Sequence, residues 1–269
     1  MRYYERDGLK VSQIGVGCYG LSGAYGAKDR AEFARVLRRA HELGVTFFDT
    51  ASAYGDAEEF LGSSMKDFRD DVCLATKVGL AGQGATSDLS PEAIRASCES
   101  SLRLLGTDYI DLYQVHYDDP RAAVAEVVST FESLKAAGKI RAWGVSHLPP
   151  DRVQEYCTVG TPFSVMMELS AAARDAVRTR LPICKDHDVA AIAFSVTARG
   201  LLTGAIKRGH VFEPGDIRSY DPLFQREQFE SGLRVAARLA ALAERHRKTP
   251  TQVGIAWVLS QPQVVCALT

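Results

Sequence analysis

Asparagine is absent from this chain altogether. The absence removes N-glycosylation sequons and every motif whose grip depends on an Asn amide. Cysteine occurs six times, at Cys18, Cys73, Cys98, Cys157, Cys184 and Cys266, but never as C-x-x-C. Four of the six fall inside apolar strand-like or helical runs, which predicts reduced core residues rather than disulfides or metal ligands. No window approaches the roughly 18 uninterrupted apolar residues of a membrane span, and the N-terminal Met-Arg-Tyr-Tyr-Glu-Arg-Asp has no apolar signal core. The expectation is a cytoplasmic protein with no membrane partner. Neither sign of charge dominates, the formal net charge being -1. That balance offers no basic footprint for nucleic acid and no acidic tail, so the expected partner is a small molecule. Linkers and low-complexity stretches are missing too, and residues 1–269 read as one domain.

With 46% hydrophobic side chains the chain can bury a large core. Arg2–Tyr4 and Leu9–Val11 flank the turn dipeptide Asp7-Gly8, which predicts an opening β-hairpin. Ile14–Cys18 is a short apolar strand whose continuation, Gly15-Val-Gly-Cys-Tyr-Gly20, matches G-x-G-x-x-G. The dinucleotide fingerprint needs a helix to begin inside it. Here loop chemistry follows as far as Gly26, and the first helix is expected over Asp29–Leu43.

From there strands and helices alternate. Strand-like runs are Thr46–Asp49, Val72–Lys77, Ile110–His116, Ala142–Ser146, Phe163–Glu168, Val189–Ser195 and Gln263–Leu268. Helical patterns cover Ala57–Asp67, Ser90–Leu105, Arg121–Ala137, Pro150–Tyr156, Arg174–His187, Gln225–His246 and Thr251–Ser260, with a loop over Gly204–Pro222. Nearly continuous apolar strands fit a parallel sheet covered by helices. Together with Ile14–Cys18 they make eight β-α units, the size of an α/β fold of the (β/α)8 TIM-barrel type; a doubly wound open sheet is the alternative.

In such a barrel, chemistry sits at the C-terminal ends of the strands. Asp49, Lys77, His116 and Ser146 each close an apolar run. Singly, such a residue is the first solvated position of a loop. Closure of the barrel would gather the first three at one rim, with Tyr54 on the loop above. A phenol of pKa about 10 is a poor acid at neutral pH. An ammonium about 4 Å away, at an effective dielectric near 20, attracts the phenolate by about 4 kcal/mol before desolvation. Lys77 is therefore expected to lower the Tyr54 pKa, and Asp49 to keep Lys77 charged. His116 can hydrogen-bond a carbonyl oxygen or the phenol. No attacking nucleophile is evident, so proton transfer coupled to hydride transfer is the natural reading.

The sequence resembles the aldo-keto reductases over nearly its whole length. The resemblance is carried by Gly44-Val-Thr-Phe-Phe-Asp-Thr-Ala-Ser-Ala-Tyr-Gly55, Ala57-Glu-Glu-Phe-Leu-Gly62, Ala75-Thr-Lys77, Asp108-Tyr-Ile-Asp-Leu-Tyr-Gln-Val-His116, Gly138-Lys-Ile-Arg-Ala-Trp-Gly-Val-Ser146 and Ala198-Arg-Gly-Leu-Leu-Thr-Gly204. It implies a (β/α)8 barrel that uses NADPH, or sometimes NADH, to exchange hydride with a small carbonyl compound or alcohol. It implies a catalytic tetrad of Asp49, Tyr54, Lys77 and His116, with Tyr54 as general acid. It further implies cofactor contacts at Gly17, Cys18, Asp49, Ser146, His147, Met166, Phe194, Ser195, Thr197, Arg199 and Gly200, and no metal.

The chain departs from that family in several places. His147 stands where an Asn usually follows the Ser, Met166 where a Gln completes the grip on the carboxamide, Phe194 where a Tyr stacks, and Val196 where a Pro is common. Family members continue past the last strand with a loop and helix that hold the 2′-phosphate, whereas this sequence runs only to Thr269. If nothing follows, an apolar face of the last strand needs cover, and a homo-oligomer would supply it. The other readings are reduction of a C=N or C=C bond with the same groups, a non-catalytic regulatory barrel like the channel auxiliary subunits, and a metal hydrolase. The hydrolase would need clustered His and carboxylates. Only His116 fits, since His41, His187, His210 and His246 fall in helices or loops with surface or capping roles.

Overall fold

The computed structural model describes residues 1–80 and 86–269. Strands β1 (Tyr3–Arg6) and β2 (Leu9–Ser12) form the expected antiparallel hairpin. Its turn holds Asp7 and Gly8 at φ 51° and 76°. Two left-handed residues in a row suit the twist of a two-residue hairpin, and Asp-Gly adopts them at little cost.

Eight parallel strands then close a barrel: β3 (Ile14–Gly17), β4 (Phe47–Asp49), β5 (Cys73–Val78), β6 (Ile110–Val115), β7 (Ile140–Ser146), β8 (Ser164–Glu168), β9 (Ala190–Phe194) and β10 (Val264–Leu268), with β10 lying between β9 and β3. Around it run α1 (Arg30–Glu42), α2 (Ala57–Met65), α3 (Pro91–Leu105), α4 (Val124–Ala136), α5 (Pro150–Val159), α6 (Ala176–Thr179), α7 (Leu181–Asp186), α8 (Arg226–His246) and α9 (Pro250–Leu259). The (β/α)8 expectation holds and the open sheet is set aside. Local chemistry fixes several boundaries. The Ser90 hydroxyl accepts the Ala93 N–H, Pro91 opens α3, and Gly106 ends it at φ 61°. Thr249 and Gln252 form a reciprocal capping box on α9.

Two expectations are corrected. The single helix over Arg174–His187 is two short ones joined at Arg180. Pro182 lacks the N–H that a continuous helix would use and sits instead in the first turn of α7. The helix expected from Arg121 starts at Val124, because the Asp119 carboxylate takes both the backbone N–H and the guanidinium of Arg121 into a turn. As expected, the G-x-G-x-x-G stretch opens no dinucleotide-type helix; it holds only a 3₁₀ turn, Cys18–Ser22.

The core has layers. Inside the barrel, Phe47, Cys73, Leu112, Met166, Ile192 and Cys266 pack with Leu9 and Val11, so the hairpin plugs the end of the barrel away from the loops that carry Tyr54 and His147. Between barrel and helices lies a larger layer that includes Phe48, Leu61, Tyr113, Phe131 and Trp143. A third cluster, with Leu201, Leu202, Phe224 and Leu239, seats α8. All six cysteines are free and buried, as expected. Among the described residues no helix is long and apolar enough to cross a membrane.

The backbones of α2 and α3 approach closely at Gly62 of α2, where a Cβ would overlap the Leu105 carbonyl of α3. Backbone cannot yield as a side chain can. Gly62→Ala is expected to lose about 2 kcal/mol or more in urea unfolding; an unchanged midpoint would show that the two helices separate freely.

Candidate active site

The strand register sets the constellation. Asp49 pairs with Gly17 on one side and Ala75 on the other, and Lys77 lies two residues beyond Ala75, on the same face. Gln114 of β6 pairs with Lys77, and His116 is two residues further on. Lys77 Nζ donates to Asp49 Oδ1 at 2.5 Å and to the Thr50 carbonyl at 2.7 Å. Gln114 Nε2 donates to Asp49 Oδ2 at 3.3 Å. The ion pair is shut from water, the two side chains being 2% and 6% exposed. Tyr54 stands on the loop after β4, which is fastened by the Ser52 hydroxyl donating to the Lys77 carbonyl. Lys77 Nζ lies 5.3 Å from the Tyr54 ring centroid, and the His116 ring meets the same ring edge-on at 5.6 Å. The structure thus brings all four expected residues together.

Their electrostatics differ from the expectation in one respect. Burial, with the Asp49 carboxylate adding to it, pushes the Tyr54 phenol well above its usual pKa. Lys77 does not lower it in this state because its ammonium is spent on Asp49 and Thr50, and among the described residues the phenol hydroxyl has no hydrogen-bond partner. Burial also raises Asp49, against the pull of Lys77 and Gln114. His116 is driven well down by burial and then by Lys77, so its imidazole is neutral. Its Nδ1 is buried without a protein partner, which leaves Nε2 as the nitrogen to meet a ligand.

These groups floor a cavity of about 920 Å3. The expected cofactor residues Gly17, Ser146, His147, Met166, Phe194, Ser195, Thr197, Arg199 and Gly200 line it. Cys18 does not. The chain turns outward after β3, and Cys18 is buried in the layer between barrel and helices, where burial raises its thiol. Ser146 closes β7, and His147 follows in the left-handed region at φ 53°, its N–H donating to the Met166 carbonyl at 3.1 Å. Ser195, Ala198, Arg199 and Gly200 are left-handed as well, at φ 53°, 51°, 51° and 90°. In this stretch the N–H groups of Thr197, Arg199 and Gly200 meet no protein acceptor among the described residues. Unspent N–H groups on an irregular run of this kind fit the oxygens of a pyrophosphate. The Ser146 hydroxyl and the Phe194 ring face suit a nicotinamide, whereas the Met166 thioether offers it no donor.

Part of the lining was not anticipated from the sequence. Tyr19, Tyr25, Tyr117, Ile217 and Arg218 border the cavity. The Ile217 N–H donates to the Ala24 carbonyl at 2.8 Å, tying the long β9–α8 loop to the loop after β3. Arg218 lies over Tyr25 and Phe212 while paired with Asp216, and Arg199 bridges Glu168 and Asp221 at 2.7 and 3.0 Å. Only Tyr117 carried a signal, as the residue after His116. Elsewhere, His41 stacks on Phe68 and His187 meets Gln154. Among the described residues no three His, Cys, Asp or Glu side chains converge as metal ligands would.

A closed (β/α)8 barrel with a lysine-carboxylate pair, a phenol and a neutral imidazole in one cavity defines a class of barrel oxidoreductase. The sequence matches the Aldo/keto reductase family over residues 13–269. It is 35% identical over 271 residues to "Aldo-keto reductase YhdN" of Bacillus subtilis (strain 168), covering 97% of this chain and 81% of that protein. It is 30% identical over 282 residues to "NADH-specific methylglyoxal reductase" of Escherichia coli (strain K12), covering 97% and 86%. The solved structure of the glycerol dehydrogenase AKR11B4 from Gluconobacter oxydans superposes with a TM-score of 0.87 at 30% identity, covering 99% of this chain and 84% of that one. The chain belongs to the aldo/keto reductase family and is an NAD(P)H-dependent oxidoreductase.

Removing one member of the buried ion pair strands the other. Lys77→Met is expected to cost about 3–5 kcal/mol of stability at pH 7. Without Lys77 the folded-state pKa of Asp49 rises further above its unfolded value, so stability falls as pH rises between the two. The deficit should therefore be smaller at pH 5 than at pH 7, measured by urea unfolding at each; an equal deficit would mean that Asp49 does not change charge.

Proposed function

We propose that the chain reduces the carbonyl of a small aldehyde or ketone, or oxidises the matching alcohol, with Tyr54 as the proton donor and acceptor. The observation that carries this reading is an unpartnered Tyr54 hydroxyl on a cavity whose floor is the Lys77–Asp49 pair and whose wall is a neutral His116. A bound NADPH or NADH supplies the hydride. Tyr54 and His116 both line the cavity, and a substrate oxygen would be met there by Tyr54 Oη and His116 Nε2. As the carbonyl carbon accepts hydride, negative charge grows on that oxygen, and Tyr54 passes its proton to it. The phenolate that forms is offset by the Lys77 ammonium close to its ring, while Asp49 and Thr50 hold that ammonium in place. Oxidation runs the same transfers backwards. His116 donates a hydrogen bond without carrying charge, which orients the oxygen and leaves the proton to Tyr54.

Ser146 and His147 would hold the cofactor's carboxamide, Phe194 would offer its ring face to the nicotinamide, and the backbone of Ser195–Gly200 with Thr197 and Arg199 would take the phosphates. Calorimetric titration with NADPH and with NADH separately tests this; absence of binding by either removes the reading.

Two outcomes follow from Tyr54. Tyr54→Phe is expected to lower kcat by about 10²–10⁴ with the cofactor Kd unchanged; turnover within a few-fold of wild type would dismiss Tyr54 as the acid. Because burial holds the phenol above its ordinary pKa, carbonyl reduction should be level from about pH 6 to 8 and alcohol oxidation should rise with pH, as read from kcat/KM profiles. Oxidation that falls as pH rises would contradict the assignment.

A further inference from the structure

We propose that His147 is a specificity residue that distinguishes the oxidised from the reduced cofactor by whether its own imidazole carries a proton; this rests on the reading of Phe194 as the surface against which the nicotinamide lies. The imidazole is a wall of the cavity. It stands edge-on to Tyr117 at 5.1 Å and tilted to Phe194 at 5.6 Å, between ring centroids. Its backbone is pinned by the N–H bond to Met166, and among the described residues neither ring nitrogen has a hydrogen-bond partner. A planar ring laid on Phe194 is therefore a neighbour of His147.

The two redox forms of the cofactor differ there and nowhere else. Oxidised nicotinamide is a cationic pyridinium, reduced nicotinamide is a neutral dihydropyridine, and their phosphates are identical. A proton on His147 repels the first and not the second. Taking the ratio of the two dissociation constants cancels whatever pH does to the phosphates. An Asn side chain, common at this place in the family, has no charge to change.

Several charged and titratable groups face the imidazole. Glu168, at the end of β8, favours its protonation but is itself bound by Arg199. Arg180, between α6 and α7, and Arg199, after β9, oppose it, as does burial, so His147 titrates below the ordinary histidine range. From the end of β6 come His116 and Tyr117. His116 is pushed well down by burial, so its proton arrives at lower pH. The sign follows from linkage. Oxidised cofactor lowers the His147 pKa further, so its affinity is intact above the pKa of the free protein and is lost as pH falls through it. Reduced cofactor shows no such loss.

The test is calorimetric titration of NADP+ and NADPH, or NAD+ and NADH if these bind better, at steps between about pH 8 and pH 5.5. The ratio of oxidised to reduced Kd is expected to rise about tenfold for each unit by which the pyridinium shifts the His147 pKa. In His147→Asn and His147→Gln the ratio should be level. A level ratio in the wild type, or an equal rise in the variants, overturns the proposal while leaving the cofactor reading standing; failure of every cofactor to bind overturns both. Should the variants not fold, NMR of histidine-labelled wild type decides. The His147 ring signal should titrate at lower pH with oxidised than with reduced cofactor bound, and equal titration refutes the proposal.

Discussion

The Lys77–Asp49 ion pair is the constraint around which the site is built. Two opposite charges taken out of water cost several kcal/mol each, and their attraction recovers this only when the remaining donors and acceptors are satisfied. Here the satisfaction comes from two separate pieces of chain: the Thr50 carbonyl next to Asp49 at the end of β4, and Gln114 on β6. Each demand fixes a register. Moving β5 by one residue against either neighbour would turn Lys77 out of the barrel and leave Asp49 buried alone. The pair therefore acts as a check on strand alignment as well as a source of field, and the Tyr54 loop inherits its position from it through Ser52.

The Tyr54 phenol is the other half of that arrangement. The lysine that the sequence places near Tyr54 implies a lowered pKa; burial reverses the sign, because nothing along a sequence reports how much water a loop residue loses. With the ammonium already committed to two oxygens, the buried Tyr54 phenol keeps its proton. In the reaction proposed for this cavity, its conjugate base would form only as negative charge moves onto a substrate oxygen in the same enclosed space.

Much of the scaffold was legible because each strand is a short apolar run closed by one polar residue, and such residues mark the rim of a parallel barrel. Asp49, Lys77, His116 and Ser146 were found that way. What the sequence hid lies where contacts join distant segments. Tyr19 and Tyr25 meet the cavity because the loop after β3 is tied to Ile217, nearly two hundred residues later, by a backbone hydrogen bond that has no side-chain signature. The Cys18 side chain lies outside the cavity for a related reason. Its neighbour Gly17 faces the cavity, but the chain leaves the strand there, and strand alternation no longer governs which way the next side chain points. The break at Arg180 was visible in principle, since Pro182 marks it, yet the apolar periodicity on both sides masks it.

The left-handed turn after β7 has a consequence for how such a site changes over generations. Only a few side chain types tolerate that backbone conformation, Asn and His among them, and β-branched residues are excluded. Substitution at position 147 is thereby channelled by the course of the chain before any ligand is considered. An amide and an imidazole are interchangeable to the backbone, although one is inert to acid and the other is not. The barrel can thus acquire an acid-sensitive group in the wall of its cavity by a single replacement that leaves every strand where it was.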